Sequence, residues 1–456
     1  MTEPVRHDPY AALRIPNYRR YVIGNTISML GMQMAQTTIG WELYNRTHSA
    51  LVLGLVGLMQ VVPVLLLSLP AGHVADRVNR KTIILLGTAV AGLVYLVMGL
   101  SSLFSVHLIG VKPLVWLNGV LASLSGLFGE TKVNFSDPHV PVMLLLLMVS
   151  GTVRSFMGPA KQSLLPLLVE PKCFANAVTW NSSMFETTAV IGPMLAGGTL
   201  ALIGWLNPES PWLYSSMYFA QVMAQGIMLV LMSRIQLAKI VRLPQAMTLR
   251  SMLAGARFVF SHKVILGAMT LDMFAVLFGG ATALLPVFAK DVLHVGALGL
   301  GALRAAPSLG AVTMALMLAH RPPMQNAGRN LLWAVAGFGL ATIVFGLSTY
   351  FWLSLLMLVL CGALDNVSVV IRHTLVQLQT PDDMRGRVNA VNTMFIASSN
   401  EIGALESGIT AAIGIAFLGT VFGPMAAVVF GGLGTIAVVS TVAVKWPQLR
   451  QIKRLH

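Results

Sequence analysis

In a chain of 456 residues of which only 10% are charged, the groups that could do chemistry are the few ionisable side chains inside long apolar runs. Glu186 and Glu401 each fall near the middle of such a run, and Arg154 falls where it could pair with Glu186. Asp365 lies two turns before Arg372, Asp272 and Arg304 occupy opposite halves of consecutive runs, and Glu42 and Glu406 lie nearer an end. A charge in such a place is costly unless it is paired or wet. A carboxylate beside a central cavity could exchange a proton with a bound molecule, so Glu186 is the first coupling candidate and Glu401 the second. The competing reading is that each acid pairs with an arginine and holds two helices in register. The 10 His show no metal-ligand spacing and no glycine-rich loop precedes a Lys, so no metal, nucleotide or other cofactor is expected, and neither an enzyme nor an ATP-driven pump.

These residues need apolar elements to position them. With 56% apolar residues and a mean hydropathy of +0.76, the chain is far from a soluble domain. Lipid cannot hydrogen-bond a backbone, and continuous rather than alternating apolar runs select helices over a barrel. Spans are expected at 21–44, 49–71, 82–104, 140–160, 175–204, 212–233, 264–288, 297–319, 330–348, 351–371, 387–412 and 419–444. The fold class is therefore all-α integral membrane, with twelve transmembrane helices and both termini on one side. Placing the termini in the cytoplasm puts about 24 of the 30 Lys and Arg in cytoplasmic segments. Arg46, Lys112, Lys132 and Lys290 then fall outside, and Arg154 and Arg304 within spans, which is the bias that orients membrane proteins. The net charge of +14 is scattered over loops that face anionic lipid, so no nucleic-acid partner is expected. Cys173 and Cys361 are not expected to form a disulfide, and the first run is too long for a signal-peptide core.

The loop between the second and third spans reads Gly72-His-Val-Ala-Asp76-Arg77-Val-Asn79-Arg80-Lys81. This G-x-x-x-D-R-x-x-R-K pattern resembles the corresponding loop of the major facilitator superfamily of secondary transporters. Gly72 would let the second span approach a neighbour closely. Asp76 would complement a helix N-terminus; in the family that helix is the eleventh span, here starting near Arg385 and Arg387. Arg77 and Arg80 would complete a cytoplasmic gate between the halves. The family has Gly where Asn79 stands, and Asn also tolerates a left-handed backbone. A topology-setting basic loop would explain the Arg and Lys but not Asp76 or Gly72. Further stretches, among them Leu53–Pro63, Gly158–Pro166, Leu249–Phe258, Arg372–Pro381, Arg385–Ala390 and Ser399–Gly403, are similar to the branch that contains the bacterial enterobactin exporters.

In the fifth span, Ile191-Gly192-Pro193-Met-Leu-Ala-Gly197-Gly198 resembles the G-P-x-x-G-G stretch of antiporters in that superfamily, which implies export; a packing kink is the plain alternative. An internal repeat points to two related halves. A shift of 211 residues lays Lys161 on Arg372, Asn181 on Asn392, Gly192 on Gly403 and Gly197 on Gly408. Earlier in each half the best shift is larger: 244 for Pro63 with Pro307 and 249 for Arg80 with Arg329. The difference locates an external insertion at 105–139, either a lid over the mouth or a tolerated surface segment. Met29, Met32 and Met34 would suit a pocket for varied apolar ligands, or simply pack. Trp41, Trp180, Asn181 and Asn400 are cavity candidates; each Trp could equally be an interfacial anchor.

The expected protein is a monomeric secondary transporter of the bacterial inner membrane. It has an N-terminal half at 1–233, a cytoplasmic linker at 234–263 and a C-terminal half at 264–456. The resemblance implies proton-coupled export of siderophore-like or drug-like amphipathic small molecules. A lipid or lysolipid transporter and a nutrient importer of the same fold are the alternatives.

Overall fold

The computed structural model describes residues 8–104, 139–237, 249–320, 324–381 and 384–452, with a few positions between 119 and 128. The expected insertion at 105–139 lies almost entirely outside these residues. The described residues are helical nearly throughout, with no strand among them. The long helices are α1 (Pro16–Thr47), α2 (Ala50–Arg77), α3 (Arg80–Phe104), α4 (His139–Leu168), α5 (Phe174–Leu206) and α6 (Trp212–Ser233). A helix within the expected linker follows, α7 (Leu249–Ser261), then α8 (Lys263–Phe278), α9 (Gly296–Ala319), α10 (Ala327–Leu347), α11 (Phe351–Gln379) and α12 (Arg385–Lys445).

Ten described stretches are long and apolar enough to cross a membrane by length and composition. α1 is not one of them, although its 32 residues reach about 48 Å. Asn17, Asn25, Gln33, Gln36, Glu42 and Asn45 make it too polar. α12 runs for 61 residues and breaks at Gly419, whose φ of 84° is left-handed. The chain reverses there, because a methyl placed on Gly414 would stand only 2.6 Å from the Gly423 carbonyl oxygen. The expected spans at 387–412 and 419–444 are thus separate rods joined by a glycine turn.

Local chemistry fixes the other turns. At the α1–α2 corner His48 is left-handed (φ 51°), its amide donates to the Tyr44 carbonyl, and the Ser49 hydroxyl accepts from the Val52 amide at 3.2 Å, capping α2. Asn79 is not left-handed. Its side-chain oxygen instead accepts from the Lys81 amide at 2.9 Å, capping α3. Lys81 then donates from Nζ to the Ser233 and Ile235 carbonyls, both at 2.7 Å, and closes the C-terminal end of α6.

α2 packs against α4 and α12, α5 against α1 and α9, and α9 against α11. The buried apolar clusters divide by depth. Two of them draw on helices from both ends of the chain: Tyr44, Ala50 and Leu53 pack with Leu284, Phe288, Phe345 and Met425, and Leu51, Leu55 and Leu147 with Ala412. Both lie at the end of the bundle marked by the α1–α2 corner. At the opposite end, one cluster is built only from residues 11–237 and two others only from residues 258–452. Among the described residues, the two halves are therefore sealed together at one end and packed separately at the other.

Candidate functional site

Toward the interior from the sealed end, one ion pair among the described residues crosses between the halves. Arg154 of α4 donates from Nη2 to Oε1 of Glu401 in α12 at 2.8 Å. Both are expected site residues, but the partnership is not the expected one, because Arg154 does not pair with Glu186. The reason lies in Gly57 of α2. A methyl there would stand 2.7 Å from the Glu401 carbonyl oxygen, so the missing side chain lets α12 lie against α2. That brings Glu401 within reach of Arg154 on the neighbouring helix. Glu186 is half-buried and has no hydrogen-bond or ion-pair partner among the described residues. Arg304 of α9 is likewise without such a partner there; its Nη1 lies close to Gly40 of α1.

In the second half Arg372 pairs with Asp272, and both are almost fully buried. The bond runs from α11 to α8, so the two-turn spacing of Asp365 and Arg372 along α11 does not produce a pair. Asp365 instead borders a cavity of about 10 Å³ that Asp272, Phe338 and Ser368 also line. Such a cavity has room for about one water.

Sequence reasoning missed the polar lock at the sealed end. The Tyr44 hydroxyl meets the Asp291 carboxylate, and Lys290 donates from Nζ to the Asn45 side-chain oxygen at 2.5 Å. A π-helical turn, Phe288–Val292, carries both Lys290 and Asp291. The available signal was the adjacent Lys-Asp pair just beyond the seventh apolar run. Behind this lock Glu42 is fully buried and accepts from Arg46 (2.8 Å), Ser102 (2.7 Å) and Tyr218 (2.6 Å). A carboxylate with three such donors is a structural acid.

The glycine-proline stretch of α5 lies against two neighbours. A methyl on Gly192 would stand 2.5 Å from Gln33 Cβ of α1, and one on Gly197 would stand 2.6 Å from the Ala297 carbonyl oxygen of α9. Across that contact a methyl on Gly301 would stand 2.5 Å from the Pro193 carbonyl oxygen, whereas Gly198 has nothing within 4 Å. Overpacking of this kind costs about 1–3 kcal/mol. Gly197→Val is therefore expected to shift the conformational equilibrium away from the sealed state by roughly 5- to 150-fold, and Gly198→Val to leave it near wild type. Maleimide labelling of a cysteine placed at Asn45 in each variant reads the shift.

The remaining expected residues are placed as follows. Trp41 packs against the apolar cluster of the sealed end. Trp180 donates from Nε1 to the Pro9 carbonyl at 2.9 Å and its ring lies tilted beside that of Tyr10, holding the N-terminal segment. The Asn181 side-chain oxygen is buried without a partner among the described residues, and Asn400 is exposed, its amide bonded back to Ile396. Arg80 is buried and donates to the Ser163 carbonyl of α4 at 3.2 Å. Gly72, Asp76 and Arg77 form the last turns of α2, and Arg385 and Arg387 the first turn of α12; their side chains lie outside the described residues. Cys173 and Cys361 are both free.

Helices in two sets, sealed at one end around an interior charge pair, define a secondary transporter of the major facilitator fold. Solved structures agree on that fold. A bacterial homologue of the human lysosomal transporter Spinster, inward-facing and occupied, matches with a TM-score of 0.66 at 14% identity over 98% of this chain and 97% of that one. A bacterial homologue of the iron transporter ferroportin, inward-facing, matches with a TM-score of 0.65 at 16% identity over 94% and 99%. More specifically, the chain belongs to the transmembrane secretion effector family, whose model matches residues 7–126 and 112–445. Among curated relatives, enterobactin exporter EntS of Citrobacter koseri is 25% identical over 96% of this chain and 94% of its own length. The protein of that name from Escherichia coli O1:K1 / APEC is 24% identical over the same shares.

Proposed function

We propose that this protein is a proton-coupled exporter of siderophore-like or drug-like amphipathic small molecules, working by alternating access across a bacterial inner membrane. In this reading twelve helices form halves at 1–233 and 264–456, joined by the segment 234–263, with both termini in the cytoplasm. The observation that carries it is the division of the apolar core. Clusters shared between halves at the α1–α2 end and separate clusters at the other end make an inward-open state, and rocking the halves about the interior charges would open the opposite mouth. The basic loops orient that sealed end outward. Export is supported by the curated relatives named enterobactin exporters, which match nearly the whole chain.

Coupling needs an acid that can take up and release a proton in the interior. Glu186 and Asp365 fit, having no hydrogen-bond partner among the described residues, and Glu401 exchanges partners when the halves move. The loop from Gly72 to Arg80 and the start of α12 at Arg385 and Arg387 would gate the inner mouth.

The test uses full-length protein in liposomes with an imposed proton gradient and cargo on the side matching the cytoplasm. Cargo uptake driven by the gradient and abolished by a protonophore is expected. Cargo movement indifferent to the gradient would remove the coupling, and gradient-driven movement in the opposite direction would make the protein an importer.

A further inference from the structure

The internal repeat and the structure together expose a difference between the two halves. Asp272 stands nine residues into α8 and Arg372 seven residues before the end of α11, and they form a buried ion pair. In the first half, Asn25 stands nine residues into α1 and Lys161 seven residues before the end of α4. Lys161 falls on Arg372 under the shift of 211, and Asn25 on Asp272 under a shift of 247, within the range found for the early helices. The contact is preserved, since Lys161 donates from Nζ to the Asn25 side-chain oxygen at 2.9 Å. Its charge balance is not, because the second half pairs cation with carboxylate and the first pairs cation with a neutral amide.

Among the described residues Asn25 is the one hydrogen-bond partner of Lys161. An ammonium has three N–H groups to donate, so two remain. The amide nitrogen of Asn25 in turn donates to Met29 Sδ at 3.3 Å. A half-buried cation left in this way is costly unless it is paired or wet, and an anionic group reaching it would supply the pair.

The surroundings leave room for that. Residues 154, 158 and 161 fall on one stripe of α4 at helical spacing. The stripe faces the interior, because Arg154 reaches across it to Glu401 while Leu145 and Val149 on the opposite side are exposed. Gly158, between the two cations, has nothing within 4 Å of where a side chain would begin. Arg154 spends its charge on Glu401, and Lys161 does not have such an acid. We propose that Lys161 binds the anionic group of the cargo, a carboxylate or comparable organic anion, whose apolar body would lie along the gap at Gly158. This assignment rests on the transporter reading and narrows its cargo to amphipathic anions.

Purified full-length protein in nanodiscs would be titrated with 4-octylbenzoate and with its uncharged amide, 4-octylbenzamide. Wild type is expected to prefer the anion by roughly tenfold or more, the size of one hydrogen bond to a charged group. Lys161→Gln should erase the preference and Lys161→Arg should keep it. Asn25→Asp, which installs the carboxylate of the other half, should erase it too, and should raise the melting temperature where Lys161→Gln does not. A wild type without preference, or a preference that survives both Lys161→Gln and Asn25→Asp, would overturn the site. Liposome uptake of the two compounds by wild type separates the readings: failure of both to move counts against transport, whereas equal movement of both with no charge preference counts against Lys161 alone.

Discussion

Glu401→Gln is expected to reduce the initial rate of transport by roughly tenfold or more while leaving a folded protein. The side chain keeps its shape but loses the charge that meets Arg154 at 2.8 Å between the halves. A hydrogen bond between two charged groups contributes about 1.5–3 kcal/mol, enough to move a conformational equilibrium by ten- to a hundredfold. Arg154 would then stand in the interior without its acid, which disfavours the sealed state in which the two meet. Glu406 provides the control. It lies on the same helix, but the Thr410 and Ser407 hydroxyls satisfy it at 3.0 and 3.4 Å, so Glu406→Gln should be far milder. Initial rates in liposomes, with melting curves of each variant, decide the matter. Equal rates for Glu401→Gln and wild type would reduce the pair to packing.

Arg372→Met is expected to cost about 3–5 kcal/mol of stability, the largest effect on stability of any single change discussed. Asp272 and Arg372 have side chains only 6% and 3% exposed, so removing one leaves the other as an uncompensated charge in a low-dielectric surrounding. Asp272→Asn should destabilise similarly. The double variant Asp272→Asn with Arg372→Met removes both charges and should recover much of the loss, because a buried pair contributes little net stability once its desolvation is counted. Melting temperatures of the two singles and the double form the cycle. Additive losses in the double variant would contradict a direct pair. Arg154→Met, at a site where the side chain is 40% exposed, should change the melting temperature far less than Arg372→Met while affecting transport more.

The membrane-spanning architecture was legible because lipid leaves the backbone few choices, and apolar run length reads out directly. α3, expected at 82–104, begins two residues earlier at Arg80, and the break between the last two spans near Gly419 and the charged positions inside helices followed from the sequence. Partner choice did not. Arg154 and Glu186 are close in sequence order and in depth, yet Arg154 takes Glu401, 247 residues away, because Gly57 admits α12 to that side of α2. Arg372 takes Asp272 for a related reason: both lie in the second half, but on different helices, and which helices become neighbours is set by packing that spacing along one helix does not encode. The sealed-end lock of Tyr44, Asn45, Lys290 and Asp291 was hidden by an irregular π turn that apolar run length does not register. Asn79 shows a further limit, since the residue was expected to turn the chain with its backbone and does so with its side chain.

The central claim, that the halves alternate about the interior charges, is tested most directly by paired electron–electron distance measurements on the full-length protein in nanodiscs. One spin-label pair at Glu209 and Tyr350 reports the sealed end, and a second at Lys172 and Gln325 reports the other; all four positions are exposed. In a population driven through its cycle by cargo and a pH change, the first distance should lengthen while the second shortens. Distances that stay fixed, or that change in the same direction at both ends, would contradict the account.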